Sequence, residues 1–126
     1  MKTIVLTTNS ELWAQAQKSG QYTQSTIDST LADVGFIHAT FPDQTIAMVN
    51  RKYADQDGLI LLLVDRDKLT SPVKEEGSLS GKGGLYPHIY GPVNLDAVYK
   101  VLPLDKGVDS HYIEPDGLRG LSKEQP

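Results

Sequence analysis

Leu59-Ile60-Leu61-Leu62-Leu63-Val64 is the stretch that decides the fold. It is apolar at every position. A strand with one solvated face alternates apolar and polar residues, whereas an unbroken run bounded by turns suits a central strand covered on both faces. Asp55 to Gly58 before it and Asp65 to Leu69 after it read as those turns. The run is far too short to cross a bilayer, which takes about 20 residues. The rest of the chain must supply cover for two faces.

Towards the N-terminus, residues 3–7 read as a short β-branched strand. Thr8-Asn9-Ser10-Glu11 reads as a helix start, because Thr8 and Glu11 have capping-box spacing, with Ser10 as a rival cap. That helix should run to about Lys18, with Leu12, Trp13 and Ala16 on one face and Gly20 as a left-handed cap. Ile27, Leu31 and Val34 have helical spacing within a polar stretch, which predicts a single turn of helix. Gly35 ends it, and Phe36 to Thr40 reads as a short strand. Phe41-Pro42-Asp43-Gln44 opens another helix, with Pro42 in the first turn and Ile46, Val49 and Tyr53 facing inward.

Towards the C-terminus, Val73 to Glu76 reads as a strand. Gly77 to Gly84 has four glycines in eight residues and reads as a loop, either a lid or disordered. Leu85 to Tyr90 resumes a strand, Gly91-Pro92 punctuates it, and Ala97 to Leu104 reads as the last strand. The pattern is a mixed α/β domain over residues 1–105. A polar tail follows over 106–126, mostly irregular, with Tyr112 and Ile113 as docking residues.

The 126 residues carry a net charge of -4, which argues against DNA or an anionic membrane as an electrostatic partner. A nucleotide remains open, since it needs only one or two local cations. With no cysteine there is no disulfide, no thiolate metal site and no Cys nucleophile. Thr7-Thr8-Asn9-Ser10 stops the N-terminal apolar stretch too early for a signal peptide, so the chain reads as cytoplasmic. The oligomeric state is not written in the sequence.

His38 shares a strand face with Phe36 and Thr40; His88 shares one with Tyr86 and Tyr90. A hydrogen-bonded core histidine and a ligand-binding one fit this pattern of His38 equally. Two tyrosines around His88, directly after a Gly-rich loop, suit a covered ligand site. The alternative is a strand edge packing its aromatics. His111 lies in the polar tail and reads as solvated. No metal is expected, because H-x-x-x-H and H-E-x-x-H spacings are absent. Glu75 and Glu76 point oppositely in a strand, so one can face a cleft as general base or ribose partner while the other is solvated. Lys82 is followed by Gly83, not Ser or Thr, so the glycine loop is not a phosphate-binding loop. Leu79 stands where a G-x-S-x-G nucleophile belongs.

Trp13, Ala16, Gly20 and Tyr22, then Gly35-Phe36-Ile37-His38 with Gln44, Leu61-Leu62 with Asp65 and Leu69, Glu76, Pro87-His88-Ile89-Tyr90-Gly91-Pro92 and Ala97-Val98 form an ordered series. The series resembles the domain-of-unknown-function family 952 (DUF952) over nearly residues 1–105. That resemblance implies an α+β fold similar to ADP-ribosyltransferases: two small antiparallel sheets packed at an angle, with peripheral helices and a cleft for NAD or a related nucleotide. Gly35 to Ala39 and the following helix look like one wall of the nicotinamide pocket. The His88 strand looks like the one that carries a catalytic glutamate in poly-ADP-ribose polymerases. Here an imidazole stands in its place, which suits phosphate-directed chemistry better than ordinary ADP-ribosyl transfer.

The expected ligand is therefore nucleotide-like or NAD-like, and the expected activity that of a transferase acting on ADP-ribose or ribose phosphate. His38 and His88 form the expected acid/base pair, with Glu76 at the rim. Thr40, Gln44, Tyr86 and Tyr90 are the expected binding residues. A non-catalytic small-molecule-binding or protein-interaction module is the alternative.

Overall fold

Strand β4, Leu59–Asp65, lies between β1, Thr3–Asn9, and β8, Val98–Pro103, in an antiparallel sheet. In the computed structural model, which describes residues 2–77 and 84–121, all six residues of the apolar run are buried. Their side chains alternate between two cores. Ile60, Leu62 and Val64 join Ile4, Leu6 and Phe41 on one face. Leu59, Leu61 and Leu63 join Val5 and Val49 on the other. Each fully buried side chain of this size contributes about 1.5–3 kcal/mol, so this strand anchors both layers.

Around it run α1 (Ser10–Ser19), β2 (Gln21–Tyr22), α2 (Leu31–Val34), β3 (Ile37–His38) and α3 (Thr45–Lys52). Strands β5 (Val73–Gly77), β6 (Leu85–Ile89), β7 (Val93–Asn94), β9 (Asp105–Lys106) and β10 (Tyr112–Ile113) complete the chain. The architecture is mixed, with few helices and several small antiparallel sheets. The resemblance implied two sheets; the described residues form two of three strands, β1-β4-β8 and β3-β6-β5, plus the short pairs β2-β7 and β9-β10. The short pairs arise because loops and tail each contribute only two paired residues.

Three local expectations change. The cap of α1 is Asn9, whose side chain accepts from the Leu12 N–H at 2.9 Å, not Thr8 or Ser10. Strand β1 runs on to pair Asn9 with Leu59, so Thr8 stays in the strand with its side chain buried. The expected helix from Pro42 begins as a 3-10 turn, Pro42–Gln44, before α3 proper. Beyond β8, Tyr112 and Leu118 pack into the second core while Ile113 stays exposed. Asn50 holds Tyr112 through both its backbone groups. Gly20 and Gly35 do end their helices in the left-handed conformation. The glycine loop expected over 77–84 falls largely outside the described residues.

The two three-stranded sheets meet at one rung. Val5 and Thr40 exchange both backbone hydrogen bonds, at 2.8 and 2.9 Å. The next rung in that direction would pair Thr7 with His38, and it is not formed: the His38 N–H donates instead to Ser25 O at 3.2 Å. The sheets part at this point.

Candidate functional site

The parting of the sheets leaves a cavity of about 240 Å³. Val5, Thr7, His38, Ala39 and Thr40 line its sheet side, with Tyr86 and His88 from β6. Helix α3 contributes Met48, Arg51 and Lys52, joined by Tyr53 just beyond it and by Ser25 and Thr26 from the loop before α2.

His38 and His88 are register partners in the β3–β6 ladder. On the other side of β6, Lys74 lies opposite His88 and Glu76 opposite Tyr86. Strand alternation then puts Lys74, Glu76, Tyr86, His88 and His38 on one face of this sheet. The Phe36 ring stacks on His88, with centroids 4.2 Å apart and planes 21° apart, and meets His38 edge-on at 4.8 Å.

His88 is buried, and its Nδ1 lies 2.9 Å from Glu76 Oε1. The Tyr90 hydroxyl donates to the same carboxylate oxygen. A carboxylate accepts only, so Nδ1 carries the proton of this bond, and in the neutral imidazole the lone pair is then on Nε2. The Tyr90 bond, and next the His88 bond, hold the Glu76 carboxyl below its usual range. The same contact pushes the Tyr90 hydroxyl up. Lys74 Nζ sits 4.9 Å from the centre of the Tyr90 ring.

His38 differs. Burial first, then the neighbouring His88 and Lys52, lower its imidazole from 6.5 to about 4. It is neutral at pH 7 and therefore unsuited to be a general acid there. Among the described residues no side chain bonds its ring nitrogens.

The structure brings His38, Thr40, Tyr86 and His88 to the cavity. Thr40 is tied to Thr45 through their hydroxyls at 2.8 Å. Glu76 and Tyr90 are not among the lining residues and act on the cavity only through His88. Gln44 is committed elsewhere: its Oε1 accepts from the Phe41 N–H and its Nε2 donates to Leu85 O at 2.7 Å. His111 pairs with Asp109 on the exposed tail.

Sequence reasoning missed Thr7, Met48, Arg51 and Lys52. The signal for three of them was present: Met48, Arg51 and Lys52 fall at i, i+3 and i+4, a second face of α3 beside the inward one. Arg51 Nη2 lies 3.5 Å from the Tyr86 hydroxyl. Among the described residues neither Arg51 nor Lys52 is paired with a carboxylate. No group of three His, Asp or Glu side chains within the described residues forms a metal site.

A family model described as "Protein of unknown function (DUF952)" matches residues 7–101. Among solved structures, the chain is similar to the crystal structure of protein CC0527 from Caulobacter crescentus, with 29% identity and a TM-score of 0.78 over 93% of this chain and 98% of that one. It is also similar to the solution structure of CC0527, with 28% identity and a TM-score of 0.72 over 88% and 91%. No curated protein matches.

Proposed function

This chain belongs to the DUF952 family, and from that premise we propose that its cavity binds a small phosphate-bearing ligand of the nucleotide or ADP-ribose kind, with His88 as the base of any reaction performed there. One observation carries the reading. An imidazole backed by a carboxylate faces the same cavity as two cations that no described carboxylate neutralises. Glu76 fixes the His88 tautomer, which leaves Nε2 free to take a proton from a hydroxyl. Arg51 and Lys52 supply local attraction for an anion, so the net charge of -4 is no obstacle.

We propose further that the cavity resembles the nucleotide cleft of ADP-ribosyltransferases. What supports it is the order of motifs: Gly35 to Ala39 leading into α3, then a late strand bearing His88. An imidazole cannot balance an oxocarbenium charge as a carboxylate does. Transfer directed at a phosphate, on ADP-ribose or ribose phosphate, therefore suits the site better than ribosyl transfer.

The neutrality of His38 favours a second reading, a binding module without turnover, because the pair then lacks its acid. Thermal shift with NAD, ADP-ribose and nucleoside phosphates tests both readings. A ligand at 100 times its dissociation constant stabilises by about 2.7 kcal/mol. Turnover lost in His88→Ala with affinity retained supports catalysis. Affinity lost with no turnover in either protein supports the module. If no compound shifts the unfolding temperature, the ligand-binding reading fails.

A further inference from the structure

We infer that the cavity takes a single nucleoside monophosphate, its base against the open edge of Thr7 and its phosphate against Arg51 and Lys52, and not a dinucleotide. The inference rests on the ligand-binding reading above and narrows it.

The ladder between the two sheets breaks after the Val5–Thr40 rung. In an antiparallel strand the backbone groups of alternate residues point to the same edge. Val5 bonds to Thr40, so its N–H and C=O point away from β4. The Lys2 carbonyl accepts from the Arg66 N–H at the end of β4, which fixes the even positions on the β4 side. Thr7 therefore directs its N–H and C=O the same way as Val5, into the gap left where the His38 N–H turns to Ser25. A donor and an acceptor side by side on a strand edge match the in-plane hydrogen-bonding edge of a heterocyclic base.

The cavity walls are chemically divided. Val5, Ala39 and Met48 are apolar, and Tyr53 and Tyr86 add aromatic surface. Such walls suit a planar ring and offer little to a bare sugar. The two cations lie together on the last turn of α3, so the ligand has one anionic end. Lys52 is near enough to His38 to depress its imidazole.

The cavity is also small. At about 240 Å³ the cavity lies just below the roughly 300–1,000 Å³ usual for ligand pockets. One base, one ribose and one phosphate suit that space. A second nucleoside on a pyrophosphate would lie outside it.

The test uses the intact chain and four classes of probe: AMP and UMP, ribose 5-phosphate, inorganic phosphate, and NAD. Calorimetry should find AMP or UMP bound at least tenfold more tightly than the other three. Arg51→Ala/Lys52→Ala, with both positions exposed, should lose at least tenfold in affinity for the mononucleotide. Amide exchange should show the Thr7 N–H at least tenfold faster than that of Val5 in the free chain, and slowed when the mononucleotide binds. Equal or tighter binding of NAD or ribose 5-phosphate overturns the inference and leaves the ligand-binding reading intact. So does a Thr7 amide already protected in the free chain, or an affinity unchanged in the double variant. Absence of binding by every probe overturns both.

Discussion

His38 and His88 stand directly opposite each other in the β3–β6 ladder, their rings perpendicular and 5.4 Å apart between centroids. Two identical side chains in register have unlike surroundings. His88 has a carboxylate on Nδ1; His38 has burial, an imidazole and an ammonium group. Their chemistry separates accordingly, and the separation is measurable.

His38 should titrate near pH 4 in the folded chain, against about 6.5 when unfolded. Between those values the unfolded chain binds a proton that the folded one does not. Stability from this group is therefore complete above pH 6.5 and is lost as pH falls towards 4. His38→Gln should flatten the pH dependence of the urea midpoint in that window. Identical slopes in the two proteins would refute the assignment.

Glu76→Gln should change the tautomer of His88 without unfolding the chain, since Glu76 lies at the surface. Nitrogen-15 chemical shifts should show the proton on Nδ1 in the wild type and a mixed population in the variant. Tyr90→Phe should keep the Nδ1 proton, because the Glu76 carboxylate still accepts it. A wild-type proton on Nε2 would rule out His88 as the base proposed for the cavity.

Asn9→Ala should cost about 1 kcal/mol in chemical denaturation, the usual loss for a side-chain cap. Ser10→Ala, at an exposed first-turn position just after the Asn9 cap, should stay within about 0.5 kcal/mol. The reverse order would restore Ser10 as the cap.

Gly91→Ala should destabilise through crowding. Gly91 has φ +152°, and a Cβ there would lie 2.4 Å from Ser71 Oγ and 2.9 Å from Ser71 Cβ. Ser71 is itself held by the Pro92 carbonyl at 2.7 Å. The cost should be about 1–3 kcal/mol by urea unfolding, as for other overpacked or strained sites. A wild-type midpoint would show that Ser71 is free to move away.

The features legible in the sequence were those with local causes. The unbroken Leu59–Val64 run announced a doubly covered strand, and alternation grouped His38 with Thr40 and His88 with Tyr86. Gly20 and Gly35 marked helix ends for the same local reason. The illegible features were set by distant partners. Asn9 became a cap because β4 drew β1 two residues further than propensity implied. Gln44 has the look of a site residue, yet the Leu85 carbonyl, 41 positions away, claims it. Thr7 entered the site through a rung that fails to form, and no pattern within residues 3–9 records that.

The position of β4 along the chain has a consequence for synthesis. Its apolar run emerges at residues 59–64, but β8, which seals its second edge, comes at 98–103, and Leu118 comes later still. A chain interrupted before β8 would carry a hydrophobic strand with one edge unsealed. Such surfaces associate with copies of themselves before folding finishes. The strand that gives the finished protein its two cores is also the part of the nascent chain most in need of the remaining residues.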